Sequence, residues 1–232
     1  MKGKFMFRKL AALTAMVVSV GMMAACGDSA KPEVSITLDG VAIAFEEPLQ
    51  NSIDGGLITT NAQGEPEEPA FVFGAMEVSY SSLHLGTSTA PNGSGVSVLL
   101  YNDTNSTQTA YASKVMTLYY DLLDDSADQA PVLFNDIDFW GMTQDDAIAA
   151  LREKGFEIDT DTLDEGYHFI VFSGKDSVIV NLDFEQGSQF TNAAATNPRK
   201  AEVQFDPDTY YVSKLDVSMS SKLNIDYGGA GN

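Results

Sequence analysis

Gly141-Met142-Thr143-Gln144-Asp145-Asp146-Ala147-Ile148-Ala149-Ala150-Leu151-Arg152-Glu153-Lys154-Gly155-Phe156 is the stretch that sets the fold class. Thr143 is a helix N-cap, and Asp146 three residues on comes close to a capping box. Asp145 and Asp146 stand where the positive end of the helix dipole favours them. Ala147, Ile148 and Leu151 recur at helical spacing and form a buried stripe. Arg152 and Lys154 suit the C-terminal end, Gly155 supplies a left-handed stop, and Phe156 folds back on Leu151 as in a Schellman motif. One helix is therefore predicted over about 143–154. Three strands follow it, at Tyr167–Phe172, Ser177–Phe184 and Tyr210–Met219, with Ala201–Phe205 as a possible fourth. Gly174-Lys175-Asp176 reads as a hairpin turn and GSQFTNAAATNPRK (187–200) as a loop. One helix and a strand meander make an α+β fold, β-rich and antiparallel, with the helix packed on a sheet face.

Upstream, Val34–Phe45 reads VSITL-DG-VAIAF. Asp39-Gly40 is a two-residue turn of the type I′ kind, in which both central residues take positive φ. That register pairs Leu38 with Val41, Ile36 with Ile43 and Val34 with Phe45, and it puts all six on one face. Glu46–Pro69 is looser and ends in an exposed acidic loop, NAQGEPEEP. Phe71–Leu85 is strand-like, Gly86–Gly95 is a flexible connection, and Val96–Tyr101 is a short apolar strand. Residues 112–123 carry both a helical spacing (Val115, Leu118, Tyr119, Leu122) and strand-favouring residues around Tyr119-Tyr120; the strand is preferred. The acidic DDSADQAP at 124–131 marks a boundary between halves. The expected organisation is a signal peptide at 1–25, a lipidated tether at 26–33, a β-rich first half at 34–130, a helix-plus-meander second half at 131–227, and a flexible tail at 228–232.

The first 25 residues hold Lys2, Lys4, Arg8 and Lys9, no acidic residue, and then an apolar run from Leu10 to Ala25. This is the layout of a secretory signal, too short and diluted to span a bilayer. It ends in Met23-Ala24-Ala25-Cys26-Gly27, which resembles the bacterial lipobox. The consensus has Leu where Met23 stands. The resemblance implies cleavage after Ala25 and a diacylglyceryl group on Cys26, the only cysteine of the chain. Such a group anchors stably where a single acyl chain does not. The expected location is the extracytoplasmic face of the cell membrane, and Gly27–Pro32 reads as a short flexible tether.

Without its signal the chain keeps 9 of its 13 basic residues and all 33 acidic ones, a net charge near −24. Such a surface repels nucleic acid and anionic head groups and attracts cations or a basic partner. With Cys26 lipidated there is no disulfide, so stability must come from packing.

The Gly141–Ala147 motif, with Leu151 and Gly155-Phe156, resembles the helix start of several extracytoplasmic modules. PASTA domains use it in tandem units. Envelope lipoproteins of the SmpA/OmlA type and β-lactamase-inhibitor-protein-like domains use a similar Gly-x-Thr helix followed by strands, which fits the longer meander here better. The resemblance implies an extracytoplasmic, non-catalytic role and carries over no functional residue.

No catalytic set emerges. His84 and His168 sit in separate strand-like stretches, and neither a G-x-S-x-G nor an H-E-x-x-H motif is present. Asp159, Asp161 and Asp164 are the best metal candidates, because calcium wants several oxygens on a tight loop. Leu163 stands at the third ligand position of an EF-hand, however, and a solvated acidic turn explains the same residues. Asp121, Asp124, Asp125 and Asp128 pose the same alternative. Trp140 with Phe139, and Tyr119-Tyr120, are either an aromatic platform or core; of Tyr210 and Tyr211, one ring is expected inside and one outside. The leading expectation is a non-enzymatic, lipid-anchored binding protein for a protein, peptide or glycan, with no cofactor beyond calcium. A hydrolase of envelope carbohydrate or peptide and a calcium-dependent surface protein are the alternatives.

Overall fold

The computed structural model describes residues 30–61, 65–67, 69, 72–78, 83–89, 95–123, 131–193 and 203–219. The expected signal peptide, Cys26, the loop at 124–130 and the tail at 228–232 lie outside them.

Along the chain run β1 (Ile36–Leu38), β2 (Val41–Ala42), α1 (Leu49–Asp54), β3 (Leu57–Thr60), β4 (Val72–Phe73), β5 (Leu83–Thr87), β6 (Val96–Tyr101), β7 (Gln108–Thr109) and β8 (Lys114–Asp121). Then come β9 (Val132–Phe134), β10 (Ile137–Asp138), α2 (Gln144–Glu153), α3 (Asp161–Asp164), β11 (Phe169–Ser173), β12 (Val178–Gln186), α4 (Gly187–Ala193) and β13 (Tyr210–Met219). A seven-stranded antiparallel sheet has the order β11-β12-β13-β8-β6-β5-β3, so it draws strands from both sides of residue 130. A four-stranded sheet, β10-β9-β1-β2, and a two-stranded pair, β4-β7, complete the β structure of the described residues.

The predicted helix is α2. Thr143 Oγ1 accepts the Asp146 N–H at 3.2 Å and donates to its carboxylate at 2.8 Å. At the other end the Phe156 N–H reaches the Leu151 carbonyl at 3.1 Å and the Gly155 N–H reaches Arg152 at 3.0 Å, both bonds of a Schellman motif. Gly155 holds φ +89°, where a side chain would strain the backbone. Ala147, Ile148 and Leu151 are buried. They share one core with the small sheet (Ile36, Leu38, Val132, Phe134) and the inner face of the large one (Ile170, Val180, Leu182, Leu215, Val217).

The Asp39-Gly40 turn also forms, with φ +52° and +78°, and Leu38 pairs with Val41. The pairing ends after Ile43, however. Phe45 leaves its expected partner Val34 to bridge Val115 of β8, because the chain turns at Glu46 (φ +58°) toward the larger core. Within 112–123 the preferred strand does form, as β8, over Lys114–Asp121.

Several expectations are corrected. The looser 46–69 segment contains α1 and β3; α1 is too short to show a period, and its Leu49 and Ser52 are buried. Within Phe71–Leu85 the described residues form two strands in different sheets, β4 and the start of β5, and β5 runs on into the expected connection as far as Thr87. The 187–200 loop begins with α4, whose Phe190 is wholly buried. No strand forms at 203–205: Phe205 is drawn instead against Phe190 (ring centroids 4.6 Å apart) and Tyr211 (4.9 Å). The tether is not free to its end, since Pro32 accepts a hydrogen bond from the Lys175 N–H at 2.6 Å.

Candidate functional site

The strand ladder of the large sheet carries one row of side chains across all seven strands. Val171, Asn181, Asp216, Tyr119, Ser97, His84 and Thr60 are successive register partners. Partners in register point to the same face, and their chain neighbours point to the other. Leu182, Leu215 and Tyr120 therefore enter the core, while Val171 (43% exposed) and Tyr119 (37% exposed) reach solvent on the outer face. In the next row Lys214 pairs with Asp183 on one side and with Asp121 on the other.

Three carboxylates thus surround one lysine. Burial pushes the Asp216 carboxyl up to about 6; the charges of Asp183 and Asp121 push the same way, and Lys214 opposes them. Burial also raises Asp183, against a hydrogen bond from Asn181 Nδ2 at 3.0 Å and the charge of Lys214. The Asn181 Oδ1 is buried without a hydrogen-bond partner. This patch has more acceptors than donors, so a cation or N–H donor placed on it would lower its energy.

A pH dependence follows. The Asp216 carboxyl binds its proton more tightly folded than unfolded, where its ordinary value is 3.8. Stability is therefore fully present below about pH 4, falls as pH rises through about 6, and then levels off. Asp216→Asn is expected to stabilise the domain by about 1 kcal/mol near pH 7, a modest amount because the face is open to water. The gain should vanish near pH 4. Urea unfolding of both proteins at the two pH values checks it; equal stabilities at both would mean the carboxylate sits there without cost.

The structure does not gather the metal candidates. Asp159, Asp161 and Asp164 are all exposed, and Asp159 Oδ1 accepts the Asp161 N–H at 3.0 Å, leading the chain into α3. Among the described residues no three His, Cys, Asp or Glu side chains converge as a metal site would require. His84 lies in the row beside Ser97, while His168 stacks on Tyr210 at the other side of the sheet (4.2 Å, with Nε2 3.3 Å from the hydroxyl), so the two share no site. Phe139 and Tyr120 are core. Trp140 packs edge-on against Phe190 and Phe205 in a satellite cluster, so it is structural rather than a platform. Tyr211 is buried as expected, while Tyr210 is half-buried rather than outside.

Three shallow grooves form from described residues: beside Pro32 and Ser173 (190 Å³), between α2 and α3 (310 Å³), and under Glu47 and Lys175 (390 Å³). Asp183 and Asp216 line none of these three. Sequence reasoning passed over both. Their signal was present as polar residues alternating with apolar ones in NLDF and KLDV, but only strand pairing puts them side by side.

No family model, curated protein or solved structure matches the chain.

Proposed function

We propose that this chain is a lipid-anchored binding protein of the extracytoplasmic membrane surface, holding a basic protein or peptide partner against the acidic face of its large sheet. The observation that carries this is the half-buried pair Asp183 and Asp216, which with Asp121 sets three carboxylates around the single cation Lys214 on one face of the sheet. A fold gains nothing by itself from such a patch; a partner's Lys or Arg would supply the missing donors. The net charge near −24 steers a cationic partner toward the domain. The lipobox-like Met23–Cys26 supplies the address and the anchor.

Capture of envelope components on the mature chain tests this. A Lys- or Arg-rich partner should be retained at low salt, weaken at physiological salt, and bind roughly tenfold more weakly to Asp183→Asn/Asp216→Asn, from two screened contacts worth about 0.7 kcal/mol each. Retention indifferent to both substitutions and to salt would overturn the reading.

The raised Asp216 beside Asp183 also favours a second reading, an envelope glycan hydrolase using two carboxylates of unequal acidity. It requires turnover of a wall glycan that disappears in Asp216→Asn; binding retained with no turnover by the wild type would eliminate it.

A further inference from the structure

The fold grips the chain just after the expected anchor. Asn135, in the turn between β9 and β10, donates from Nδ2 to the Glu33 carbonyl at 2.7 Å and accepts the Ser35 N–H on Oδ1 at 2.8 Å. Its own N–H donates to the Ser35 carbonyl at 2.8 Å. On the other side the Lys175 N–H donates to the Pro32 carbonyl at 2.6 Å, and the Lys175 ammonium pairs with Glu33 at 2.5 Å. A Cβ on Gly174 would collide with Val34, so the chain lies tight on the β11–β12 turn. From Cys26 to Pro32 an extended chain spans no more than about 22 Å. A lipid on Cys26 therefore brings this clasp close to the head groups.

The clasp lies at one pole of the molecule. Strand β11 ends there at Ser173 and β13 at Met219, β12 begins there at Val178, and Gly155, the stop that follows α2, lies there with an added Cβ 3.7 Å from the Pro32 ring. The pole also collects cations. Of the six basic residues among those described, Lys31, Arg152, Lys154 and Lys175 are here, and only Lys114 and Lys214 lie elsewhere. They stand against Glu33, Glu46, Glu47, Asp136, Glu153, Glu157 and Asp176, with Lys154 3.5 Å from Asp136. Four cations against seven carboxylates is a milder excess of acid than the 9 against 33 of the mature chain. This is the surface that anionic head groups repel least.

We propose that this pole, Lys31, Lys154 and the Gly174–Asp176 turn, rests on the phospholipid head groups, so that the large sheet stands on end and its acidic face looks sideways along the membrane. The inference rests on lipidation of Cys26 and deepens that reading by naming the membrane-facing surface. β12 then points away from the membrane, carrying Gln186 about 26 Å farther out than Val178 at ~3.3 Å per residue.

The test uses the full, lipid-processed chain in vesicles of phosphatidylethanolamine and phosphatidylglycerol bearing a head-group nitroxide. With Cys26 acylated, Glu153→Cys and Gln186→Cys each provide one free thiol for a fluorophore, and both positions are exposed. The upright pose predicts a several-fold loss of fluorescence at position 153 and none at 186. Equal loss at both, or the reverse order, overturns the pose. The mass of the mature N-terminal peptide separates the two claims. With the diacylglyceryl group present, a wrong quenching order overturns the orientation alone; its absence overturns the anchor and the orientation together.

Discussion

Phe134→Ala is expected to cost about 4 kcal/mol of unfolding free energy, the upper range for truncating a buried aromatic ring. Phe134 is 0% exposed at the end of β9. Its ring lies 6.0 Å from Phe139, 5.5 Å from Phe156 and 6.0 Å from Phe172. Those three come from the segment before α2, the stop after α2, and the edge strand of the large sheet. The ring thus joins the small sheet, the helix and the large sheet at one point. Truncation leaves a cavity that three separate elements would have to close together, and such sites collapse poorly. A domain of this size holds about 5–15 kcal/mol, so the variant should unfold at markedly lower urea. A change below about 1 kcal/mol would mean that the layers are held independently of this ring.

Gly187→Ala is expected to cost about 3 kcal/mol, through overpacking rather than lost contact. Gly187 sits where β12 passes into α4, with its N–H on the Thr209 carbonyl at 2.9 Å. An added Cβ would overlap the Asp206 carbonyl oxygen and stand 3.0 Å from the Tyr211 ring. Relief requires moving the 203–209 backbone, which carries Phe205 into its stack with Phe190. Trp140, the only tryptophan, packs on both rings, so its fluorescence should report the shift even in the folded state. Gln189→Ala, exposed on the same helix, should change stability by less than about 0.5 kcal/mol. If Gly187→Ala behaves like Gln189→Ala, the 203–209 segment yields without cost.

Where signals were local, the sequence was legible. The Thr143 cap, the Gly155 stop and the Asp39-Gly40 turn are short-range chemistry, and each forms as read. Strands β6, β12 and β13 alternate strongly because one face is core. What escaped was non-local. Helix α4 has a single apolar anchor, Phe190, and becomes a helix because Phe205 and Tyr211 come back to cover it. Local pairing puts Phe45 in the hairpin, but β8, seventy residues on, offers a better partner. The same limit hid the acidic face. Asp183 and Asp216 are separated by α4 and a long connection, and nothing near either one announces the other. The aspartates that did attract attention, Asp159, Asp161 and Asp164, were conspicuous through closeness in sequence, which the fold uses to make a turn.

The most direct test of the central claim is site-specific photocrosslinking in the cells that make the protein. A photoreactive residue replaces Tyr119, in the middle of the outer row, or Asp145, exposed on the α2 side. The account predicts a crosslink to a basic partner from position 119, abolished by Asp183→Asn/Asp216→Asn, and none from 145. A partner crosslinked from 145 and not from 119 would contradict it.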